Sequence, residues 1–431
     1  MEREQVIIVL LCLVLAIQVF LVLTQDPKRI KKVFTIARRL VWGSVFYLLK
    51  PFPKDKGLMI FGGDNGAGFS GNPKYLFLEA QKRPGIRAVW ITKSGDVYKK
   101  LKEQGLPVEL ANSQKGMWTQ LRAGTVVLSY SIKEDFNAIF LAGATSVNLW
   151  HGVGLKRSWF RNTLSFSGKA AAAAPSFTKK MNMWWACTNL TRENYVISTS
   201  EEVGEYYPAT YHVPKEHVIN LGQARNDVFY DDSLEEQNLP DFFHEKKVII
   251  YMPTHRNYGR GGQKMERNIG KNIDYGKLSA MLEKYGWVFV IKQHRWVTHT
   301  TRTQYPNIID ITHENYDLDP QLILKYSDLV ITDYSSCYTD FLLLDRPVMF
   351  FCYDLDEYLD RWELNFDYDY VTPGPKVWNS DQLIAELEKI LQGNDEYEEE
   401  RQRVKRVFYS PWNQQAVTGK QLDYILENLV K

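Results

Sequence analysis

Cysteine is scarce in this chain. There are four in 431 residues (Cys12, Cys187, Cys337 and Cys352), and no two stand in C-x-x-C spacing. That argues against a zinc or dithiol redox centre and fits a reducing compartment. The histidines lack H-E-x-x-H and H-x-x-x-H spacing, and His294 and His299 stand five apart, so no metal site is expected. The absence of G-x-x-x-x-G-K-[ST] disfavours a P-loop kinase or ATPase, and the absence of G-x-S-x-G removes the usual α/β-hydrolase. A net charge of +2 gives no bulk attraction to nucleic acid. With 45% apolar and 24% charged residues, the composition excludes long disorder, collagen and disulfide scaffolds. Aromatics are abundant, at 13%, which suits a surface rich in ligand or interface contacts.

The near-neutral charge hides a local extreme. Residues 6–23 are apolar except for Gln18, and 18 residues is just enough to cross a hydrocarbon core. Lys28, Arg29, Lys31, Lys32, Arg38 and Arg39 follow, and the window 26–56 carries +7. Glu2, Arg3 and Glu4 precede the run, and no small-x-small cleavage site follows it, so a cleaved signal peptide fits poorly. The pattern predicts a single-pass anchor over 1–25, with the basic flank and the body of the chain cytoplasmic at the cell membrane. A basic juxtamembrane segment follows over 26–56. Within it, 33–49 reads as an interfacial amphipathic helix on anionic lipids.

From residue 57 onward, short β-rich runs alternate with helical stretches. Strands are expected at 58–61, 88–92, 125–129, 146–150 and 218–221, then at 248–252, 288–291, 308–311, 329–332 and 348–351. Continuous Val/Ile runs indicate strands buried on both faces. The fold expected is α/β and parallel, in two Rossmann-like domains over 57–235 and 245–431, with an acidic linker between them. The Ala-rich patch at 170–174 and Trp184–Trp185 read as helical or core features, or as a membrane or acceptor contact.

In open α/β sheets, ligands bind beyond the carboxyl ends of the strands. The run ending at Trp150 delivers His151, Gly152, Lys156 and Arg157. An imidazole there suits proton abstraction from a hydroxyl, and the cations suit phosphate. The run ending at Met252 delivers Thr254, His255 and Arg256, and the one ending at Ile291 delivers Lys292, His294 and Arg295. Together they outline an anion-binding crevice. After Ile331 come Thr332, Asp333, Tyr334, Ser335 and Ser336, a hydroxyl-rich turn before a helix, suited to a pyrophosphate. Simple N-capping by one serine is the competing explanation. The glycine-rich stretch 62–71 suits a flexible active-site loop better than a dinucleotide fingerprint.

These motifs resemble the CDP-glycerol glycerophosphotransferases, the teichoic-acid primases and polymerases with related capsule enzymes. The resemblance rests on Leu149-Trp150-His151-Gly152 with Leu155-Lys156, and on Thr332-Asp333-Tyr334-Ser335-Ser336. Asp340-Phe341, Asp345-Arg346-Pro347, Asn72-Pro73-Lys74-Tyr75 and Gly222-Gln223-Ala224-Arg225-Asn226-Asp227 add to it. It implies a GT-B architecture with the active site in the cleft between two domains. It also implies transfer of glycerol phosphate, or a related polyol phosphate, from a CDP-activated donor to a hydroxyl of a lipid-linked saccharide or polyol-phosphate polymer, with release of CMP. By the same resemblance, His151 is the general base and His294 a second essential histidine on the donor phosphates. Arg225, Thr254, Arg256, Lys292, Thr332, Asp333, Ser335 and Ser336 are expected on the donor, and Asn72, Lys156 and Arg157 on the acceptor or phosphate. No metal ligand, resident cofactor or nucleic-acid partner is expected. Cations at 255 and 295, where the family reads otherwise, point to variation in the polyol. A nucleotide-sugar glycosyltransferase on the same fold, or a non-catalytic membrane-tethered scaffold, are the competing functions.

Overall fold

A computed structural model describes residues 41, 43–158, 193–234, 239–254, 272–294, 297, 301, 304–312 and 318–430. The expected anchor, most of the basic segment, the 170–174 and Trp184–Trp185 patches, His255, Arg256, Arg295 and two of the cysteines lie outside them. Among the described residues, no helix is long and apolar enough to cross a membrane. A short helix over 43–49 leads into the body, with Leu48 76% exposed.

The alternation of buried Val/Ile runs with helices gives two parallel sheets. The first holds β1 (Asp55–Phe61), β2 (Arg87–Thr92), β3 (Val108–Leu110), β4 (Ala123–Leu128), β5 (Thr145–Asn148), β6 (Glu193–Ser198) and β7 (Val218–Asn220), in the order β3-β2-β1-β4-β5-β6-β7. The second holds β8 (Lys247–Tyr251), β9 (Trp287–Ile291), β10 (Ile308–Asp310), β11 (Leu329–Thr332), β12 (Val348–Phe351) and β13 (Lys376–Val377), in the order β10-β9-β8-β11-β12-β13. The chain reverses direction across each sheet at the same relative place, between β1 and β4 and between β8 and β11. These are the topological switch points beyond which α/β ligands bind. Their register, Phe61 beside Val127 and Ile331 beside Tyr251, brings the loops after paired strands side by side.

All ten expected strands form, but three more appear. β3 and β13 are short edge strands, and β6 opens with Glu193-Asn194, polar residues that mask a strand pattern. Ser146 satisfies that polarity by donating from Oγ to Asn194 Oδ1 at 2.6 Å. The run expected to reach Trp150 stops at Asn148, because Trp150 takes a left-handed φ of 53° that no strand accommodates.

The C-terminal helix Thr418–Tyr424 returns to the first sheet. Asp227 accepts from Val417 N at 2.7 Å and Thr418 N at 2.9 Å, and Gln421 donates to the Gly222 carbonyl at 2.8 Å. The two halves therefore share a buried polar seam as well as a continuous apolar core.

Candidate active site

His151 sits in a sharp turn after β5. Trp150 and Gly152 on either side both have positive φ, 53° and 128°. A bulky aromatic in the left-handed region is strained, and such strain collects at functional sites. The Asn148 side chain holds the turn by accepting from Trp150 N at 2.9 Å. His151 Nδ1 lies 3.1 Å from the Ser129 carbonyl oxygen. A carbonyl can only accept, so Nδ1 carries the proton and the lone pair is left on Nε2. The imidazole stacks on Tyr130 at 4.2 Å and 9°, with Trp150 at 4.0 Å on it as well. Burial, helped by the nearby Arg225 charge and opposed by the Ser129 bond, lowers its pKa to about 4. The ring is therefore neutral at physiological pH, the form a general base requires.

Arg225 follows β7. Its guanidinium donates to the His151 carbonyl at 2.9 Å and pairs with Asp340 from the second half. Gly152 makes that approach possible, since a Cβ there would lie 2.8 Å from an Arg225 terminal nitrogen already pinned to Asp340. Gly152→Ala should therefore cost about 1–3 kcal/mol, from the left-handed backbone and the displaced arginine together. Urea denaturation measures this, and an unchanged midpoint would show that the turn relaxes freely.

His151 and Arg225 open onto a pocket with about 510 Å³ of open space, between the two halves of the chain. Asp64, Ser70, Gly71, Ser129 and Tyr130 complete its first-half wall, and Asp319, Pro320 and Gln321 form the facing wall. The glycine-rich 62–71 stretch thus lies at the site, with Asp64, Asn65, Gly66 and Gly71 all at positive φ. Asp319 is fixed by Lys74 at 3.3 Å and the Tyr75 hydroxyl at 2.8 Å.

Several expected contact residues have internal partners instead. Asn72, fully buried, donates to the Leu149 and Trp150 carbonyls at 3.1 and 2.9 Å and accepts from Arg225 N at 3.0 Å. Its amide clamps the His151 turn to the Arg225 loop. Thr332 and Asp333 are also fully buried. Thr332 donates to the Met252 carbonyl at 2.7 Å, while Asp333 accepts from Thr254 N at 2.9 Å and Thr254 Oγ1 at 2.6 Å. These three residues tie the loop after β8 to the loop after β11. Arg157 is paired with Glu363 at 3.1 Å and donates to the Leu364 carbonyl at 3.2 Å, which bridges the halves.

The remaining candidates keep accessible groups. Ser335 and Ser336 are half-buried, and Ser336 makes no side-chain capping bond to the Cys337–Phe341 helix, contrary to the N-cap explanation. Ser336 Oγ lies close to Gly152, 3.5 Å from where a Cβ would stand. Lys156 rests over the Trp362 ring at 5.0 Å. Lys292 is half-buried and His294 exposed just past β9, and neither lines the pocket that holds His151. Sequence reasoning passed over Ser129, Tyr130 and Asp135, though the residues after β4 stand at a switch point and so carried a signal. It gave no role to Asp319 or Asp340, whose importance depends on partners far away in the chain. Among the described residues, no group of three His, Cys, Asp or Glu side chains is placed to hold a metal ion.

Comparison with known proteins bears on the family and the fold. The teichoic acid poly(glycerol phosphate) polymerase of Staphylococcus epidermidis is 27% identical over 362 residues, which cover 79% of this chain and 46% of that protein. The chain thus spans about half the length of that relative. The teichoic acid glycerol-phosphate transferase of Staphylococcus aureus is 26% identical over 379 residues, covering 85% of this chain and 91% of the relative. A solved structure of the wall teichoic acid polymerase TagF superposes with a TM-score of 0.67 at 24% identity, covering 94% of this chain and 97% of that one, and so shares the fold. Residues 45–427 match the family described as CDP-Glycerol:Poly(glycerophosphate) glycerophosphotransferase, and the chain belongs to that family.

Proposed function

We propose that this protein transfers glycerol phosphate, or a related polyol phosphate, from a CDP-activated donor to a hydroxyl of a membrane-linked acceptor in teichoic-acid-like or capsular polymer synthesis. One observation carries the reading within the family: His151, neutral and with Nδ1 committed to the Ser129 carbonyl, stands beside Arg225 in a pocket between two Rossmann-like halves. The two-sheet arrangement, with its pocket in the cleft, supports a GT-B-like architecture.

The reaction is a direct displacement. The acceptor oxygen attacks the β-phosphorus, the bond to the CMP oxygen breaks, and His151 Nε2 takes the acceptor proton. Phosphoryl transfer asks mainly for positioning and charge stabilisation. Lys156, Lys292, His294, Ser335, Ser336 and Arg256 are the groups assigned to the donor phosphates. Arg225 acts at closer quarters, holding the His151 backbone while its charge faces the reacting groups. The apolar run at 6–23 and the +7 belt at 26–56 support a single-pass anchor that keeps the body at the inner leaflet, where a lipid-linked saccharide or polymer acceptor lies.

Membranes containing the protein, supplied with CDP-glycerol, CDP-ribitol and UDP-sugars in parallel, should release CMP from a CDP-polyol. Turnover of a UDP-sugar alone would replace this reading with a glycosyltransferase, and no turnover of any donor would favour a scaffold.

A further inference from the structure

His151 ends a hydrogen-bonded chain that begins at a buried carboxylate. The Ser129 carbonyl that accepts from Nδ1 and the Tyr130 N–H belong to one planar peptide unit. That N–H donates to Asp135 Oδ2 at 2.9 Å, and Ser129 N donates to the same oxygen at 3.3 Å. Asp135 is fully buried. Its helix, Ile132–Asp135, is anchored by Ser131, whose hydroxyl accepts from Glu134 N at 3.2 Å. The turn that Asp135 organises also sets the Tyr130 ring flat against the imidazole.

A negative charge on the N–H side of a peptide makes its carbonyl a stronger acceptor, because hydrogen bonds in series polarise one another where the dielectric is low. An imidazole's working tautomer is set by the bond its other nitrogen makes. The geometry points to Asp135 as a positioning residue for His151, acting through the Ser129–Tyr130 peptide to keep Nδ1 protonated and Nε2 the basic nitrogen. The inference rests on His151 being the base of the proposed transfer. It inserts one peptide between the members of a carboxylate–histidine pair. During transfer the acceptor proton stops on Nε2, the imidazolium keeps its Nδ1–H on the Ser129 carbonyl, and Asp135 stays ionised throughout. Burial pushes the Asp135 carboxyl up to about 6, while the N–H groups of Tyr130, Ser129 and Asn65 oppose the rise, so the carboxylate is the major form at neutral pH.

The test is the tautomer of His151, read by NMR on the full chain with ¹⁵N-labelled histidine and no substrate present, in wild type and in Asp135→Asn. Wild type should show His151 protonated on Nδ1 with Nε2 bare, and Asp135→Asn should show the Nε2–H form emerging. An unchanged His151 signal in a variant that unfolds at the wild-type temperature would overturn the relay. Should Asp135→Asn fail to fold, the charge-retaining Asp135→Glu should keep the Nδ1–H form, and an Nε2–H tautomer in wild type would refute the proposal by itself. In turnover, Asp135→Asn should lower kcat by about 10- to 100-fold, the scale of lost supporting contacts, with donor KM unchanged. A change confined to KM would mean a merely structural clamp. Since the tautomer is read without substrate, a wild-type protein inert toward every CDP-polyol would sink the transferase reading and leave the relay standing.

Discussion

His151→Ala should lower CMP release from the CDP-polyol donor by about 10²–10⁴-fold, the span that general-base catalysis contributes. The variant should remain folded by circular dichroism, because the ring lies in a turn at the cleft and not within either sheet. Turnover within a fewfold of wild type would remove His151 from the mechanism. The pH profile offers a separate check. With the free-enzyme pKa lowered to about 4, the acid limb of kcat/KM should lie well below the ordinary histidine range. A bound diphosphate brings negative charge to Arg225, whose cation is one cause of that lowering, so donor binding should raise the His151 pKa. The acid limb of kcat should therefore stand at higher pH than that of kcat/KM. The same shift predicts a stability trend. The folded state binds fewer protons at His151 than the unfolded chain between about 4 and the ordinary histidine value of 6.5. Its contribution to stability is complete above 6.5 and declines as pH falls toward 4.

Most of the fold was legible because buried parallel strands read as continuous Val/Ile runs, and the strand-end rule then pointed to His151, Lys292 and the Ser335–Ser336 turn, while Arg225 came from the family resemblance. Reading which of those residues face a ligand was harder. Thr332, Asp333 and Asn72 stand where phosphate contacts would, yet each is consumed by a backbone group or hydroxyl from another loop. A polar residue at a strand end serves equally well to hold a loop or to hold a ligand, and only the partner decides. The same limit hid Asp135. Its link to His151 runs through a backbone carbonyl and amide, which every residue possesses, so no residue type marks it.

Asp340→Ala should destabilise the protein by about 3–5 kcal/mol, the cost of leaving a buried cation without its partner. Asp340 is 1% exposed and gathers donors from both halves. It accepts from the Arg225 guanidinium, the Tyr409 hydroxyl, Asn226 Nδ2 at 3.2 Å and Gln321 Nε2 at 3.0 Å. Arg225 and Asn226 follow the last strand of the first sheet, Gln321 stands before β11, and Asp340 lies after it, so one carboxylate closes the cleft wall from both sides. Alanine leaves an arginine whose side chain is 14% exposed, and three further donors, facing a void. Asp340→Asn keeps the shape and loses the charge, so its cost should fall between those of wild type and alanine. Removing both charges tests the source of the penalty. In Arg225→Ala/Asp340→Ala no buried ion is orphaned, and the double variant should lose less stability than the two single variants summed. Urea midpoints at constant m-value measure all four proteins. Strict additivity, or a loss below about 1 kcal/mol for Asp340→Ala, would show that the pair does not hold the halves together. Activity should fall with Arg225→Ala in either background, because the His151 carbonyl loses its hydrogen-bond donor and the proposed donor-phosphate site loses a cation.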